Sequence, residues 1–231
     1  MQKRKVIAID GLSATGKSTL AKELAKKIGF VHLSTGALYR AVAYVTLKNN
    51  INHNNISEVL KELNKHTFNL ILKDSSAVMI VDNEDVTSYL YTPKNSEMTS
   101  ILSAVEEVRS FLIEPQRNAF NDQNIVIEGR DMGTVVFADA DAKFFIKVNT
   151  ETKIKRRIAQ YCEGKNLTNE ELENLKNDMR IEIVERDYRD EHRDVAPTIP
   201  AKDAFVIDNS KDGIENVLEK MMVFLRNKNV I

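Results

Sequence analysis

The clearest chemistry in the chain sits near its start, where Gly11-Leu12-Ser13-Ala14-Thr15-Gly16-Lys17-Ser18, with Thr19 after it, fits the spacing G-x-x-x-x-G-K-[ST]. Glycines at those positions let backbone N–H groups turn toward phosphate oxygens, the Lys17 ammonium reaches the outer phosphates, and the Ser18 hydroxyl can ligate magnesium at a helix N-terminus. The spacing predicts a site for a nucleoside triphosphate. In a plain strand-to-helix turn without ligand, Lys17 is expected to lack a partner within its own loop.

Three further groups address what receives the phosphate. Ser34 and Thr35 stand where a helix begins, with Arg40 one turn inside, and hydroxyls plus a guanidinium at a helix N-terminus suit an anion; an ordinary N-cap and a surface Arg would use the same residues. Glu128-Gly129-Arg130-Asp131 follows the apolar Ile125-Val-Ile strand. An acid in that place can hold magnesium through water, whereas a salt-bridged surface turn is the bland alternative. The third group lies on a helix predicted from Asn169 to about Asp194, whose stripe Leu172, Leu175, Met179, Ile183 continues at the same spacing into Arg186, Asp190 and Arg193. At 100° per residue these fall within an arc of about 80°, so the inward face changes from apolar to charged. Forked cations there call for an anionic ligand, with an internal salt-bridge network as the competing reading.

Between a strand at Lys143 and that helix, Arg156-Arg157 precedes the turn Gly164-Lys165-Asn166. A basic helix, a turn and a returning helix read as a lid that excludes water and brings an Arg to charge developing on a transferring group; simple surface exposure of the Arg pair would fit as well.

The elements that must position these residues alternate. Strands are predicted at Lys5–Asp10, Ile125–Glu128, Lys143–Val148 and Ala204–Asp208, and helices at Ser18–Ile28 and Gly36–Asn49. This order predicts an α/β fold, a parallel β-sheet flanked by helices. Phe68–Leu72 and Val78–Val81, either side of Lys73-Asp74-Ser75-Ser76, interrupt it as an antiparallel hairpin, an insertion from 67 to 92 that ends near Pro93. The Asn-rich run Asn49–Asn55 reads as compositional bias rather than a low-complexity tail.

Composition bounds the function. With 231 residues and 42% hydrophobic content the chain can build one globular domain. A formal net charge of -1 argues against a large polyanion, nucleic acid or anionic membrane, as main partner. Cys162 alone forms neither an internal disulfide nor a thiolate zinc cage, and it and the four His show no ligand spacing, so a reduced, cytoplasmic setting is expected. The apolar run Val6–Ile9 stops at Asp10, too short for export, and no stretch approaches the ~18 apolar residues of a membrane span. Arg is scarcer than Lys, and most of it follows residue 100. A GTP switch would need an Asn-Lys-x-Asp run; Asn209-Ser-Lys-Asp212 has the wrong order.

Taken together, Ile9-Asp-Gly11 into the phosphate loop, Ser34-Thr-Gly-Ala-Leu-Tyr-Arg40, Glu128-Gly-Arg-Asp-Met-Gly-Thr-Val-Val-Phe137, and Glu185-Arg-Asp-Tyr-Arg-Asp190 with Arg193 and Ala196-Pro197 resemble the bacterial cytidylate kinase family of P-loop nucleoside monophosphate kinases. The resemblance covers nearly the whole chain. It implies transfer of the γ-phosphoryl group of ATP, with Mg2+, to CMP or dCMP, giving CDP or dCDP plus ADP. It further implies one kinase domain over 1–231, with an acceptor region at 34–110, the insertion at about 67–92 and a lid at about 152–180. Gly11 to Thr19 would bind ATP, and Ser18 with Glu128 the metal. Arg40, Arg130 and Arg193 would hold the acceptor phosphate beside Thr35, Arg186 and Asp190 would meet the sugar, and Ser100, Arg109 and Asp131 would read the cytosine edge. Lys17, Arg130, Arg157, Arg186 and Arg193 would carry catalysis. Apart from the resemblance, the partners are expected to be small molecules, with neither nucleic acid nor membrane, and the chain is expected to be monomeric. Two residues depart from the family pattern: Leu12 stands where Pro is common, and Ser18 where Gly is, the latter conforming better to the general phosphate-loop spacing.

Overall fold

A computed structural model describes residues 4–73, 76–162 and 167–231. Five strands, β1 (Val6–Gly11), β2 (Val31–Ser34), β6 (Ile125–Gly129), β7 (Ala142–Lys147) and β8 (Phe205–Asp208), form one parallel sheet in the order β2-β6-β1-β7-β8. The order places β1 at the centre, buried on both faces, which is why Val6-Ile-Ala-Ile9 reads as a continuous apolar run rather than an alternating one. Register decides where the chemistry goes. Asp10 pairs with Gly129, Gly11 with Ile146, and Ser34 with Glu128, so the carboxyl ends of β1, β6 and β2 deliver the phosphate loop, Glu128 and Thr35 to one edge. Ligands of open parallel sheets bind at that edge.

Alternate residues of β1 feed two cores. Ile7 and Ile9 pack with Leu20 and Leu24 of α1 (Lys17–Ile28) and with Leu218 and Met221 of α8 (Ile214–Asn227). Val6 and Ala8 face Leu33, Met132, Val136 and Phe137 on the other side. A third core belongs to the acceptor region: α2 (Gly36–Lys48), α3 (Ile56–Leu63), α4 (Pro93–Leu102) and α5 (Glu106–Asn118) close around Val42, Leu63, Met79, Leu102 and Leu112. Truncating fully buried Leu112 to Ala would cost roughly 2–5 kcal/mol and loosen the helix that carries Arg109.

The insertion is the expected antiparallel hairpin, β3 (Phe68–Lys73) with β4 (Ser76–Val81), plus a short strand β5 (Glu84–Asp85). Within its turn Asp74 and Ser75 lie outside the described residues, as does the lid turn Gly164-Lys165-Asn166. The lid helices are α6 (Thr150–Cys162) and α7 (Asn169–His192). Thr168 and Glu171 form a reciprocal capping box at the start of α7, and the helix ends at His192, ahead of Pro197 and Pro200.

The sequence reading missed several elements. β2 is a strand where only a helix start was expected, because its four residues are too few for a periodic signal. Pro93 does more than end the insertion: with Thr92 accepting the Asn95 N–H, it begins α4. The Asn-rich run is ordered, with Asn50 at φ 52 and Asn55 capping α3 through the Glu58 N–H, positions for which Asn is suited by its short polar side chain.

Candidate active site

A cleft of about 400 Å³ opens at the carboxyl edge of the sheet, lined by phosphate-loop residues, the start of α2, the turn after β6 and the inner face of α7. The loop is held from behind. Arg156 and Asn209 both donate to the Thr15 carbonyl at 3.1 Å, and Arg156 also donates to the Asn209 carbonyl at 2.8 Å. Gly11, at φ +151, brings the chain so close to β7 that a Cβ would sit 2.5 Å from the Ile146 carbonyl oxygen, and Gly16 at φ +82 turns the chain into α1. Glycine is required at both.

Lys17 does have a partner, contrary to expectation: its Nζ donates to the Leu12 carbonyl at 3.0 Å. The loop's own carbonyl therefore accepts from the ammonium. Burial first, then Arg130 nearby, lowers the Lys17 pKa to about 7, against the opposing pull of Glu128. Glu128 accepts hydroxyl protons from Ser18 at 2.8 Å and Ser34 at 2.6 Å. Burial works against its charge, but Lys17 and the two hydroxyls outweigh this and hold its pKa below the usual carboxylate range. A charged carboxylate beside the Ser18 hydroxyl, next to the phosphate loop, is a donor pair suited to magnesium. Among the described residues no cluster of three or more His, Cys, Asp or Glu could hold a metal ion. Ser34 and Thr35 do not cap α2; the Thr35 hydroxyl donates instead to the Glu128 carbonyl at 3.0 Å.

The cleft lining carries Lys17, Arg40, Arg109, Arg130, Arg157, Arg186 and Arg193 against Glu128, Asp131, Glu182 and Asp190. Some of these cations are matched within the chain. Arg130 Nε donates to Asp190 at 2.8 Å, an ion pair that outweighs burial and raises the guanidinium's pKa. Arg109 pairs with Asp131, donates to the Ser103 carbonyl at 2.9 Å, and lies over the Tyr39 ring. Arg40 donates to the Leu90 carbonyl and the Ser96 hydroxyl, with its guanidinium over Tyr91. Arg193 donates to the Ala196 carbonyl at 2.7 Å while its Nη2 is enclosed and unpartnered. Arg157, the lid arginine that reaches the cleft, donates to Gln160 at 3.1 Å. Among the described residues Arg186 has no hydrogen-bond or ion-pair partner, and its Nε is enclosed. Burial, then Arg130, then Arg40 and Arg157 lower its pKa to about 10 despite Asp190. A guanidinium crowded by like charges and left unpaired is a site waiting for an anion.

The helical stripe has the expected phase: Leu172, Leu175 and Met179 are half-buried, Ile183 and Asp190 buried, and Arg186 and Arg193 reach the cleft. Thr35, Arg40, Arg109, Arg130, Asp131 and Arg157 also line it, together with Ser13, Ala14, Lys17 and Ser18 of the loop. Gly11, Leu12, Thr15 and Gly16 shape the loop from outside the lining, and Thr19 is exposed on α1. Ser100 is buried on α4 away from the lining, to which Thr99 and Ser103 contribute instead.

Three buried groups escaped the sequence reading. Asp10 accepts the N–H groups of Met132 and Gly133 at 2.9 and 2.7 Å, tying β1 to the turn that carries Asp131, and burial raises its pKa to about 6. An acid closing an apolar strand was the signal for it. Asp187 and Lys153 form the other pair; Asp187 sits one turn past Ile183, at the margin of the predicted stripe.

A family model described as cytidylate kinase matches residues 7–227. The cytidylate kinase of Thermotoga maritima is 37% identical over 223 residues, covering 96% of this chain and 97% of its own. That of Thermodesulfovibrio yellowstonii is 41% identical, covering 93% and 95%, and that of Streptococcus uberis 40%, covering 92% of each. Among solved structures, an uncharacterized protein from Eubacterium ventriosum superposes with a TM-score of 0.50 at 16% identity over 97% of this chain and 99% of its own, a likeness of fold. Among the described residues no helix is long and apolar enough to cross a membrane.

Proposed function

The chain belongs to the cytidylate kinase family, and from that premise we propose that its cleft transfers the γ-phosphoryl group of ATP to CMP or dCMP, giving CDP or dCDP and ADP. The observation that carries this reading is Arg186, a largely buried cation with no partner of its own among the described residues, facing the same cleft as the phosphate loop.

In the proposed mechanism the loop from Gly11 to Thr19 holds the ATP phosphates, its N–H groups turned inward and Lys17 exchanging the Leu12 carbonyl for a phosphate oxygen. Arg40, Arg130 and Arg193, beside Thr35, hold the acceptor phosphate. Asp190, already oriented by Arg130, accepts from a sugar hydroxyl, and Arg186 donates to a sugar oxygen. An oxygen of the acceptor phosphate attacks the γ-phosphorus, a new P–O bond forms, and the bond to the β–γ bridging oxygen breaks as ADP leaves. No general base is needed, because a nucleotide phosphate is already largely ionised near neutral pH. Arg186, Arg193, Arg130 and, from the lid at 152–180, Arg157 surround the charge on the transferring group, so catalysis is positioning and electrostatic stabilisation. Ser18 and Glu128 would hold the magnesium ion. When bound, the ion neutralises charge on the donor phosphates.

Within the acceptor region at 34–110, including the 67–92 insertion, the cytosine edge meets Asp131 and Arg109, with Ser103 and Thr99 nearer the cleft than Ser100. A carboxylate accepts from the exocyclic amine of cytosine and repels the carbonyl that uracil carries there, and such sites discriminate by ~10⁴ or more.

The test is conversion of CMP by the purified protein with ATP and magnesium, followed as CDP, with Arg186→Lys run in parallel. Wild type is expected to form CDP, and the Lys variant to lose about tenfold or more of turnover although charge is kept, because the planar fork is lost. Absence of CDP in the wild type would refute the function, and wild-type kinetics in the variant would refute the role of Arg186.

A further inference from the structure

Asp187 follows Arg186 on α7 but serves a different face. A step of 100° puts its side chain beyond buried Ile183, on the side of that residue away from Arg186. There its carboxylate joins two other elements. One oxygen accepts both the N–H and the hydroxyl proton of Ser13 in the phosphate loop, at 3.1 and 2.6 Å, and the other accepts Lys153 Nζ of α6 at 2.7 Å. The Lys153 and Asp187 side chains are only 6% and 11% exposed. Neither residue has a part in the mechanism above.

A buried ion pair adds little net stability relative to apolar residues of the same volume. What a fully bonded one does is fix geometry, since each partner has one arrangement that satisfies it. Here the elements fixed are those that must agree for phosphoryl transfer. Ser13 precedes Ala14, at φ 53, in the loop that holds the donor; α6 carries Arg156 and Arg157; α7 carries Arg186, Asp190 and Arg193. We propose that Asp187 is a positioning residue that sets the register of α7 and α6 against the phosphate loop, so that a nucleotide ordering the loop also aligns the acceptor arginines. Occupancy of the donor site then favours the acceptor site, and by linkage the reverse. This inference rests on the kinase reading.

The experiment uses the full chain and calorimetric titration of CMP with and without a non-hydrolysable ATP analogue, the ratio of the two affinities being the coupling. Wild type is expected to bind CMP about fivefold or more tightly with the analogue present. Asp187→Asn keeps the size and an acceptor for Ser13 but loses the charge that holds Lys153. In that variant each nucleotide alone should bind within about threefold of wild type, the coupling ratio should fall toward one, and kcat should drop about tenfold or more, since small misplacements of reacting groups are that costly. A merely structural role would lower the melting temperature and weaken both nucleotides while leaving the ratio intact, and that result would overturn the proposal. So would a wild-type ratio of one. If Asp187→Asn does not fold, Ser13→Ala removes only the hydroxyl bond; a ratio reduced about two- to threefold supports the proposal and an unchanged ratio overturns it. CDP formation by wild type separates the two ideas: no CDP refutes the kinase reading and takes this inference with it, whereas CDP formation with unaltered coupling and turnover in the variants refutes the inference alone.

Discussion

Replacing Arg186 by Met should stabilise the ligand-free protein and disable it at the same time. The guanidinium has no partner among the described residues, and burial together with Arg130 lowers its pKa to about 10. A cation with a lower pKa in the folded than in the unfolded chain holds its proton less firmly when folded. Its charge therefore costs folding free energy at neutral pH, and that cost fades only as pH rises through about 10 toward the ordinary arginine value. At about 1.36 kcal/mol for each pH unit by which the pKa is lowered, and reduced by solvent at the exposed part of the side chain, the cost is about 1–2 kcal/mol. Met retains much of the arginine stem's packing. For a chain of this length the melting temperature should rise by about 2–8 °C. With CMP and an ATP analogue both present, the order should reverse, because only the wild type then gains an anion for its arginine. Steady-state kcat/KM for CMP should fall by ~10² to 10³. Thermal melts with and without ligands, alongside kinetics, read all three quantities. A ligand-free melting temperature below that of wild type, with turnover nearly unchanged, would mean that Arg186 is compensated inside the chain and that the cleft is not built for an anion.

Further outcomes follow from the same geometry. With its pKa near 7, Lys17 is mostly neutral in the ligand-free protein at pH 8 and should take up a proton when ATP phosphates surround it; calorimetry in two buffers of different ionisation enthalpy should find about one proton absorbed per ATP at pH 8, fewer at pH 6, and none in Lys17→Met. Asp131→Asn should cost about 10²-fold or more in kcat/KM for CMP and narrow the preference over UMP, measured as the ratio of the two kcat/KM values. Glu128→Gln should raise the magnesium concentration needed for half-maximal activity by about tenfold, and an unaltered magnesium dependence would remove Glu128 from the metal site.

Much of this site is written locally. The phosphate loop is contiguous, and the polar stripe of α7 follows from a single spacing, so both were legible together with the strand that precedes each turn. What escaped depends on which elements meet. Lys17 was expected to stand alone because the path of the loop, which turns the Leu12 carbonyl toward Nζ, is set by Gly11 lying against β7. Asp187 and Lys153 lie 34 residues apart, on two different helices, and no local spacing pairs them. The motif that points to Ser100 does not specify which face of α4 turns toward the cleft; Thr99 on α4 and Ser103 just past its end line the cleft, and Ser100 does not. The short strand β2 carries no periodicity, and it became visible only through its pairing with β6. The near-zero charge of the whole chain likewise concealed a locally cationic cleft, because its lysines and acids cancel elsewhere.

The central claim, an arginine-lined acceptor site for a cytidine monophosphate beside an ATP-binding loop, is tested most directly by offering ATP and magnesium with CMP, dCMP, UMP, AMP and GMP in turn and measuring diphosphate formed. CMP and dCMP should be converted, and UMP should be slower in kcat/KM by orders of magnitude, with the purine nucleotides essentially inert. Equal conversion of CMP and UMP would remove the cytosine assignment, and conversion of a purine monophosphate in preference to CMP would contradict the account as a whole.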